Sequence, residues 1–316
     1  MCNNYALRIT NYELNERIDR MKNTIFTGAG IAIITPMNAD GSINYDKFAE
    51  LIDDQIKNGT DAIIVCGTTG EASTMTDQEH RDCIRFAVKQ TAGRVPVIAG
   101  AGSNDTAYAV ELSKEAEEMG ADGLLHVTPY YNKTTQRGAI AHFTAIADAV
   151  NIPIVLYNIP GRTGMGLDVA TIKKLAEHKN ICAVKEASGN ISYAAKLIAE
   201  CGDSIDVYSG NDDMIVPLMS LGAKGVISVL SHVMPAETHK MAQLCLDNDF
   251  AEAQKLQIGL LDLINDLFIE VNPIPVKEAM NMMGWNVGPC RLPLYEMSDE
   301  HKAKLLASLK NHGLVK

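Results

Sequence analysis

Basic clusters, long apolar runs and spaced metal ligands are the features that this sequence lacks. Lysine and arginine total 28 residues against 39 aspartates and glutamates, which gives a formal net charge of -11. No basic stripe interrupts this acidic balance, so nucleic acid and anionic membrane surfaces are disfavoured as partners. No apolar run approaches the roughly 18 residues that a membrane helix needs, and no charged-then-apolar signal pattern opens the chain. We therefore expect a cytoplasmic protein that binds neither nucleic acid nor membranes.

Cysteine and histidine are present without the spacing of metal ligands. The seven cysteines form an odd, scattered set with no CxxC pair, so neither a disulfide framework nor a zinc site is predicted. The eight histidines include no HExxH or other paired spacing, which argues against a metal centre. His126 lies in an apolar run and is interpreted as a hydrogen-bonded core residue.

One structural unit repeats from residue 31 onward: a short β-branched run, polar turn residues, and a helix-period segment closed by glycine. Thr76 and Glu79 form a capping-box pattern at the start of one such helix. Strands that alternate with helices predict right-handed parallel crossovers, and eight such units predict a (β/α)8 barrel. The eight strand candidates are residues 30–35, 62–66, 95–99, 123–128, 152–157, 181–185, 205–208 and 225–229.

A doubly wound sheet is the competing architecture. Such a sheet more often carries a GxGxxG turn after its first strand, and the glycine-rich stretch at 100–105 fails at the last position. We predict an N-terminal extension over 1–23 that need not be ordered, the barrel over 24–248, and a C-terminal helical domain over 249–316. The helical pattern after the eighth strand covers residues 235–246, 250–268, 275–283 and 299–311, broken by the two prolines of Asn272-Pro273-Ile274-Pro275.

Lys185 ends an apolar run that reads as a strand buried on both faces. An ammonium group is costly there unless it is paired or deprotonated. Desolvation would lower the pKa of the amine and leave it free to attack a carbonyl carbon as a Schiff-base lysine. The alternative is a strand that ends at Lys185 with the side chain in water, and this stretch alone favours that simpler interpretation.

The residues at the other strand ends bear on the choice between a Schiff-base lysine and a solvated one. Active sites of (β/α)8 barrels lie at the C-terminal ends of the strands. Thr68 and Thr69 follow strand two between glycines, where a plain turn is an equal alternative. Tyr157 ends strand five, and Arg162 beyond it offers a fork for a carboxylate. Each signal is ambiguous alone, but their convergence with Lys185 on one rim favours the Schiff-base interpretation.

Two other strand ends give weaker signals. Tyr130 and Tyr131 follow strand four, and adjacent loop tyrosines are more often packing residues than catalysts. Strand seven ends in the glycine-containing stretch 209–211, which could suggest a phosphate site. No basic residue or extra short helix stands beside it, so we rank a phosphate site lower.

The strand-end motifs together resemble the dihydrodipicolinate synthases, a family of Schiff-base-forming class I aldolase-type lyases. The resemblance covers residues from about 25 to 314. The wider superfamily includes N-acetylneuraminate lyases and keto-deoxy-sugar aldolases, which share the lysine and the strand-five tyrosine, whereas Arg162 with the threonine pair favours the synthases. The motifs are GTTGE at 67–71, TPYYN at 128–132, YNIPGRTG at 157–164, VKEASGN at 184–190, GVIS at 225–228 and NPIPVK at 272–277.

The resemblance implies that Lys185 forms an imine with pyruvate, which becomes an enamine and attacks the aldehyde of L-aspartate 4-semialdehyde. Cyclisation by the substrate's amine then releases the lysine and gives 4-hydroxy-tetrahydrodipicolinate, in the first committed step of diaminopimelate and lysine biosynthesis. Thr69, Tyr157 and Tyr131 would form the proton relay, with Tyr157 the general acid and base. Tyr131 would enter the site of a neighbouring subunit in a homotetramer built from two tight dimers. No cofactor is implied beyond the covalent pyruvate imine.

The same resemblance assigns the substrate contacts. Thr68 would hold the pyruvate carboxylate and Arg162 the semialdehyde carboxylate, while Gly210 and Ile227 would line the pyruvate pocket. The nearest enzyme alternative is a pyruvate-forming sugar-acid aldolase such as N-acetylneuraminate lyase. A catalytically inactive barrel that senses a small molecule is the alternative of a different class.

Regulation is where the sequence departs from the family. Lysine-inhibited relatives carry a histidine and a glutamate at the positions occupied here by Asp77 and Tyr108. A glutamate would bind the ammonium group of the effector, and Tyr108 cannot supply that charge. We therefore predict weak or absent feedback by lysine. The expected effector pocket comprises Ala72, Ser73, Asp77, His80, Asn104, Tyr108 and Tyr130.

Overall fold

A computed structural model describes residues 24–316 and closes eight parallel strands into a barrel. Each strand pairs with the next along the chain, and the first pairs with the eighth through Gly28 and Gly225. A doubly wound sheet is excluded because an open sheet has two unpaired edges. The predicted extension over 1–23 lies outside the described residues. The strands are β1 (Gly28–Ala32), β2 (Ala62–Val65), β3 (Val97–Gly100), β4 (Gly123–Val127), β5 (Ile154–Asn158), β6 (Ile181–Glu186), β7 (Asp206–Ser209) and β8 (Gly225–Ser228).

Helices follow the strands as the repeat predicts. The predicted capping box is confirmed: the Glu79 backbone N–H donates to Thr76 Oγ1 at 3.2 Å, and the Thr76 N–H donates to Glu79 Oε2 at 2.9 Å. Asp105 caps the third helix by accepting from the N–H of Ala107 at 2.9 Å. The helices around the barrel are α1 (Tyr45–Lys57), α2 (Asp77–Thr91), α3 (Thr106–Glu118), α4 (Gln136–Asp148), α5 (Pro160–Thr163), α6 (Val169–Leu175), α7 (Ile191–Cys201) and α8 (Ile215–Ser220).

Several predicted boundaries are wrong, among them those of the first strand and of one C-terminal helix. The first strand was expected over 30–35 but spans Gly28–Ala32. Ile33 and Ile34 are buried beyond its last residue, and the Ile33 N–H still donates to the carbonyl of Ile64 at 3.0 Å, so the apolar run is longer than the strand. The helix expected over 250–268 is divided at Leu260, directly after Gly259, a residue that weakens helix continuity. The C-terminal helices are α9 (Pro235–Leu246), α10 (Phe250–Gly259), α11 (Leu261–Asp266), α12 (Ile274–Met282) and α13 (Asp299–Asn311).

The apolar core has two layers, one between the helices and the strands and one inside the barrel. The inner layer includes Ile64, Leu125, Ala183 and Ile227, all of them buried. Side chains alternate along a strand, so a residue two positions from Ala183 shares its inward face. Lys185 is that residue, and the fold therefore directs its side chain into the barrel.

No helix within residues 24–316 is long and apolar enough to cross a bilayer. The same residues contain no group of three or more potential metal ligands. His126 is fully buried, with Nε2 bonded to the hydroxyl of Ser113 at 3.1 Å, so its interpretation as a hydrogen-bonded core residue is confirmed.

Candidate active site

Lys185 lies inside the barrel with only 5% of its surface exposed. The interpretation of a solvated strand end is therefore wrong, because β6 continues through Glu186 and keeps the lysine within the ladder. Burial lowers the pKa of the Lys185 amine to about 8, with Asp212 acting to raise it and Arg162 acting to lower it. A lowered pKa makes part of the amine available as a neutral nucleophile near physiological pH.

Tyr157 is the register partner of Lys185 across β5 and β6. Lys185 Nζ lies 4.3 Å from the centroid of the Tyr157 ring. Burial raises the pKa of Tyr157 to about 12, although Arg162 and a hydrogen bond with the side chain of Thr68 oppose this shift. The site thus pairs an amine that loses its proton easily with a phenol that retains its own.

The two threonines after β2 make different contacts from those expected. The Thr68 side chain contacts Tyr157, whereas Thr69 is buried and its hydroxyl accepts from Asn272 Nδ2 at 2.9 Å. Thr68 and Tyr157 line the same cavity, and Thr69 is not among its lining residues. Both threonines lie in a tight turn, in which the Glu71 N–H donates to the carbonyl of Thr68 at 3.1 Å.

Asn272 joins two of the predicted site residues and was not itself predicted. Its amide donates to Thr69, and its backbone carbonyl accepts from Arg162 Nη2 at 3.3 Å. The sequence marks this position only as part of the Pro-rich break before α12. Arg162 lies on the short helix α5 and is exposed at the mouth of the site, where a guanidinium fork suits a carboxylate.

Gly210 lies beside Lys185, and Ile227 belongs to the inner layer of the barrel. A Cβ atom at Gly210 would approach Lys185 Cε to 3.2 Å and the Ala187 Cβ to 2.7 Å. Only glycine therefore leaves space next to the amine. Ile227 is 1% exposed and packs in the same inner layer as Tyr157.

A buried ion pair holds the loop that carries the threonines. Glu71 has a left-handed backbone conformation with φ of 57°, and its Oε1 accepts from Lys277 Nζ at 2.5 Å. Lys277 also donates to the carbonyl of Pro289 at 2.8 Å, while the Arg291 N–H donates to Glu71 Oε2 at 2.8 Å. Lys277 belongs to the NPIPVK motif, and its partner Glu71 lies 206 residues away, where no local pattern marks it.

Tyr131 stands apart from the other predicted relay residues. Its side chain is 92% exposed and its backbone φ is 60°. A cavity of about 450 Å³ is lined by Thr68, Tyr157 and Arg162, and Tyr131 is not among its lining residues. One chain therefore brings together Lys185, Tyr157, Thr68 and Arg162 but does not bring Tyr131 to them.

The expected effector pocket opens into this same cavity. Its two departing residues contact each other, because the Tyr108 hydroxyl donates to Asp77 Oδ1 at 2.9 Å. Asn104 is not among the lining residues of this cavity, but it donates to the carbonyl of Tyr130, which is. Burial lowers the pKa of His80, whose Nε2 lies 2.7 Å from the carbonyl of Gly100. The members that line the cavity are Ala72, Ser73, Asp77, His80, Tyr108 and Tyr130.

Known proteins resemble this chain over nearly its full length. A family model described as the dihydrodipicolinate synthetase family matches residues 25–312. A 4-hydroxy-tetrahydrodipicolinate synthase of Acetivibrio thermocellus is 56% identical over 295 residues, which cover 93% of this chain and 100% of the relative. The crystal structure of dihydrodipicolinate synthase from Aquifex aeolicus is 48% identical with a TM-score of 0.90, covering 92% of this chain and 99% of that one. The chloride-inhibited synthase from Acinetobacter baumannii, solved in complex with pyruvate, is 41% identical with a TM-score of 0.90, covering 92% and 100%.

Proposed function

The chain belongs to the dihydrodipicolinate synthetase family, and from this premise we propose that it condenses pyruvate with L-aspartate 4-semialdehyde. The product would be 4-hydroxy-tetrahydrodipicolinate, in the first committed step of diaminopimelate and lysine biosynthesis. The observation that carries the proposal is the buried Lys185 amine, held against the ring of Tyr157 at 4.3 Å. This pairing suits a lyase of the class I aldolase type, in which a lysine forms an imine with a keto acid.

Lys185 acts first as the nucleophile. With a pKa of about 8, roughly a tenth of the amine is neutral at pH 7, compared with well under a thousandth for a free lysine. The neutral amine attacks the carbonyl carbon of pyruvate, and Tyr157 supplies the proton that lets the carbonyl oxygen leave as water. The resulting imine is the electron sink for enamine formation, so this chemistry requires no separate cofactor.

The enamine carbon then attacks the aldehyde of the second substrate. Arg162 at the mouth of the site is placed to hold the carboxylate of that substrate through its planar fork. Ring closure by the substrate's own amine displaces Lys185 and regenerates the free enzyme. Gly210 supports the first step, because the space it leaves lies directly beside the lysine side chain.

We assign the relay position next to Tyr157 to Thr68 on the strength of its contact with that phenol. Thr69 is held by Asn272 and is better suited to the pyruvate carboxylate. Tyr131 is proposed to act in the site of a neighbouring copy, because its 92% exposed side chain has no role within its own chain's site. This assignment requires an oligomer, and we propose the homotetramer of two dimers that is expected from the family.

Trapping with a hydride donor tests the function. The purified protein is incubated with pyruvate and sodium cyanoborohydride, and its intact mass is compared with that of the Lys185→Arg variant. We expect a stable pyruvate adduct on the wild type alone, formed faster as the pH rises toward the Lys185 pKa of about 8 because only the neutral amine attacks. Absence of the adduct would leave a non-catalytic barrel as the better interpretation.

The substrate is tested separately from imine formation. Condensation is assayed with pyruvate and aspartate 4-semialdehyde, and cleavage is assayed with N-acetylneuraminate. We expect condensation only. Cleavage of the sugar acid without condensation would assign the chain to the aldolases of the wider superfamily.

A further inference from the structure

Asp212 is a buried carboxylic acid two residues beyond Gly210, where an added Cβ would lie 3.2 Å from Lys185 Cε, and the proposed mechanism gives it no role. It begins the short 3-10 turn Asp212–Met214 after β7 and is 2% exposed, whereas its neighbour Asp213 is exposed. Burying a carboxylate is costly unless its oxygens are compensated. The surroundings of the two oxygens therefore indicate what the residue does.

One oxygen is fully engaged by the end of β8. Asp212 Oδ2 accepts from the backbone N–H groups of Val229 and Leu230, both at 2.9 Å. Donors of this kind stabilise the ionised form of a carboxyl group. Asp212 Oδ1, in contrast, has no hydrogen-bond partner within residues 24–316.

The backbone of Asp212 is fixed from the C-terminal helical region. Gln257 Nε2 on α10 donates to the carbonyl of Asp212 at 2.9 Å, and Gln257 Oε1 accepts from the N–H of Val216 at 3.2 Å. Gln257 is itself only 4% exposed. The carboxylate is thus held in place by β8 on one side and by α10 on the other, before any substrate binds.

Of the two charged groups that act on Lys185, Asp212 is the negative one and Arg162 is the positive one. Arg162 and Asp212 act on the lysine with opposite signs, and Lys185 in turn lowers the pKa of Asp212, which burial raises. Glu186 is occupied on the other face of β6, where its oxygens accept from the Ser188 N–H and from Asn158 Nδ2, both at 2.7 Å. Tyr157 presents its ring to the amine and is neutral.

We propose that Asp212 is a positioning residue that supplies the buried negative charge for the cationic nitrogen of Lys185, both as the ammonium and as the protonated pyruvate imine. The inference rests on the proposed function. In the step concerned, the Lys185 ammonium first loses a proton, and the neutral amine then attacks the pyruvate carbonyl carbon. The C–O bond breaks as the C=N bond forms, and the oxygen leaves as water with one proton from the attacking nitrogen and one from Tyr157, which regains the proton that the ammonium lost. The nitrogen carries one positive charge before and after, so a fixed anion stabilises both states.

The test measures how the initial rate of imine formation depends on pH in Asp212→Asn, with cyanoborohydride trapping and intact-mass detection as the readout. Removal of the anion favours the neutral amine, so we expect the midpoint of the pH profile to fall from about 8 by roughly half a unit to one unit. The matched control is Asp213→Asn, which removes an exposed carboxylate one residue away and should leave the midpoint unchanged. If Asp212→Asn does not fold, Asp212→Ser removes the charge with a smaller side chain and is expected to shift the midpoint in the same direction.

Two negative results are distinguishable. A folded neutral variant with the wild-type midpoint, even with lower rates at every pH, overturns the role of Asp212 and leaves the proposed function intact. A wild-type protein that forms no imine at any pH overturns the proposed function and this inference with it.

Discussion

Thr68 and Thr69 are adjacent in sequence and have separate contacts, which predicts separate kinetic consequences when each hydroxyl is removed. Thr68→Val removes the hydroxyl beside Tyr157, so we expect kcat to fall roughly 100-fold, in the range of lost proton-transfer catalysis. Thr69→Val removes the acceptor of the Asn272 amide and should mainly raise KM for pyruvate. Steady-state kinetics at varied pyruvate concentration measure both effects. A larger loss of kcat in Thr69→Val would restore the relay assignment made from the sequence.

The residues that sequence analysis could identify are those whose position follows from strand order. Lys185 and Tyr157 end predicted strands, and the C-terminal ends of barrel strands share one rim. The orientation of Thr68 relative to Thr69 was not predictable, because a turn sends successive side chains in directions that depend on its dihedral angles. Asn272 was not predicted because it contacts Thr69, which lies 203 positions earlier in the chain. Local sequence patterns do not indicate contacts between residues so far apart.

At the scale of elements, the contact between α12 and the loop after β2 depends on one buried ion pair. Lys277 and Glu71 have side-chain exposures of 2% and 0%, so Lys277→Met leaves a buried carboxylate without its partner. We expect this variant to lower the free energy of unfolding by about 3–5 kcal/mol. Urea unfolding followed by circular dichroism measures the change.

Two further variants separate the lost ion pair from a loss of packing. Lys277→Met combined with Glu71→Gln removes the unpaired charge and should recover part of the stability lost by the single variant. Lys255→Met makes the same substitution on the exposed face of α10, where Lys255 pairs with Glu252, and should leave the unfolding midpoint unchanged. A single variant as stable as the wild type would show that the loop does not depend on this pair.

The contact between α2 and α3 predicts the response to lysine. Tyr108 donates its hydroxyl to Asp77 and brings no negative charge for the ammonium group of an effector. We expect weak or absent inhibition by lysine in the condensation assay. Tyr108→Glu supplies a carboxylate and should increase inhibition, whereas Tyr108→Phe removes only the hydroxyl and should leave the enzyme insensitive. Half-inhibition of the wild type well below millimolar lysine would contradict this prediction.

Elements were predicted more reliably than their ends. All eight predicted strands are present. Strands of a closed parallel barrel are buried on both faces, so each appears in the sequence as a short, almost continuous apolar run. The end of β1 was misplaced because Ile33 and Ile34 continue the buried apolar run beyond Ala32, the last residue of the strand, and burial alone does not separate a strand from a buried loop. The division at Leu260 depends on the packing of α10 and α11, which periodicity does not report.

At the scale of the whole molecule, the site combines distant parts of the chain. The barrel supplies Lys185 and Tyr157, while the C-terminal helical region supplies Asn272, Lys277 and Gln257, each bonded to a loop at the C-terminal end of a barrel strand. The boundary predicted at residue 248 therefore separates two stretches of sequence that share one site. Deletion of the C-terminal region would remove the contacts that hold the loops after β2 and β7.

The exposed Tyr131 makes the oligomer part of the proposed catalytic unit. If this side chain completes the site of a neighbouring copy, Tyr131→Phe should impair turnover while leaving the fold intact, and Lys185→Arg should abolish turnover in its own chain. A mixed dimer of the two variants then contains one site with an intact lysine and an intact tyrosine. Random mixing makes half of the dimers mixed, so we expect recovery to roughly a quarter of wild-type activity in a symmetric dimer.

The measurement uses subunits that are mixed, dissociated in mild denaturant and reassembled, with each variant treated alone as the control. Recovery above the sum of the two controls supports a tyrosine that acts between subunits. Full activity of Tyr131→Phe alone would remove Tyr131 from the relay. If Tyr131→Phe is impaired and mixing gives no recovery, Tyr131 acts within its own chain. Because its side chain is 92% exposed, the loop that carries it would then have to fold over the cavity when substrate binds.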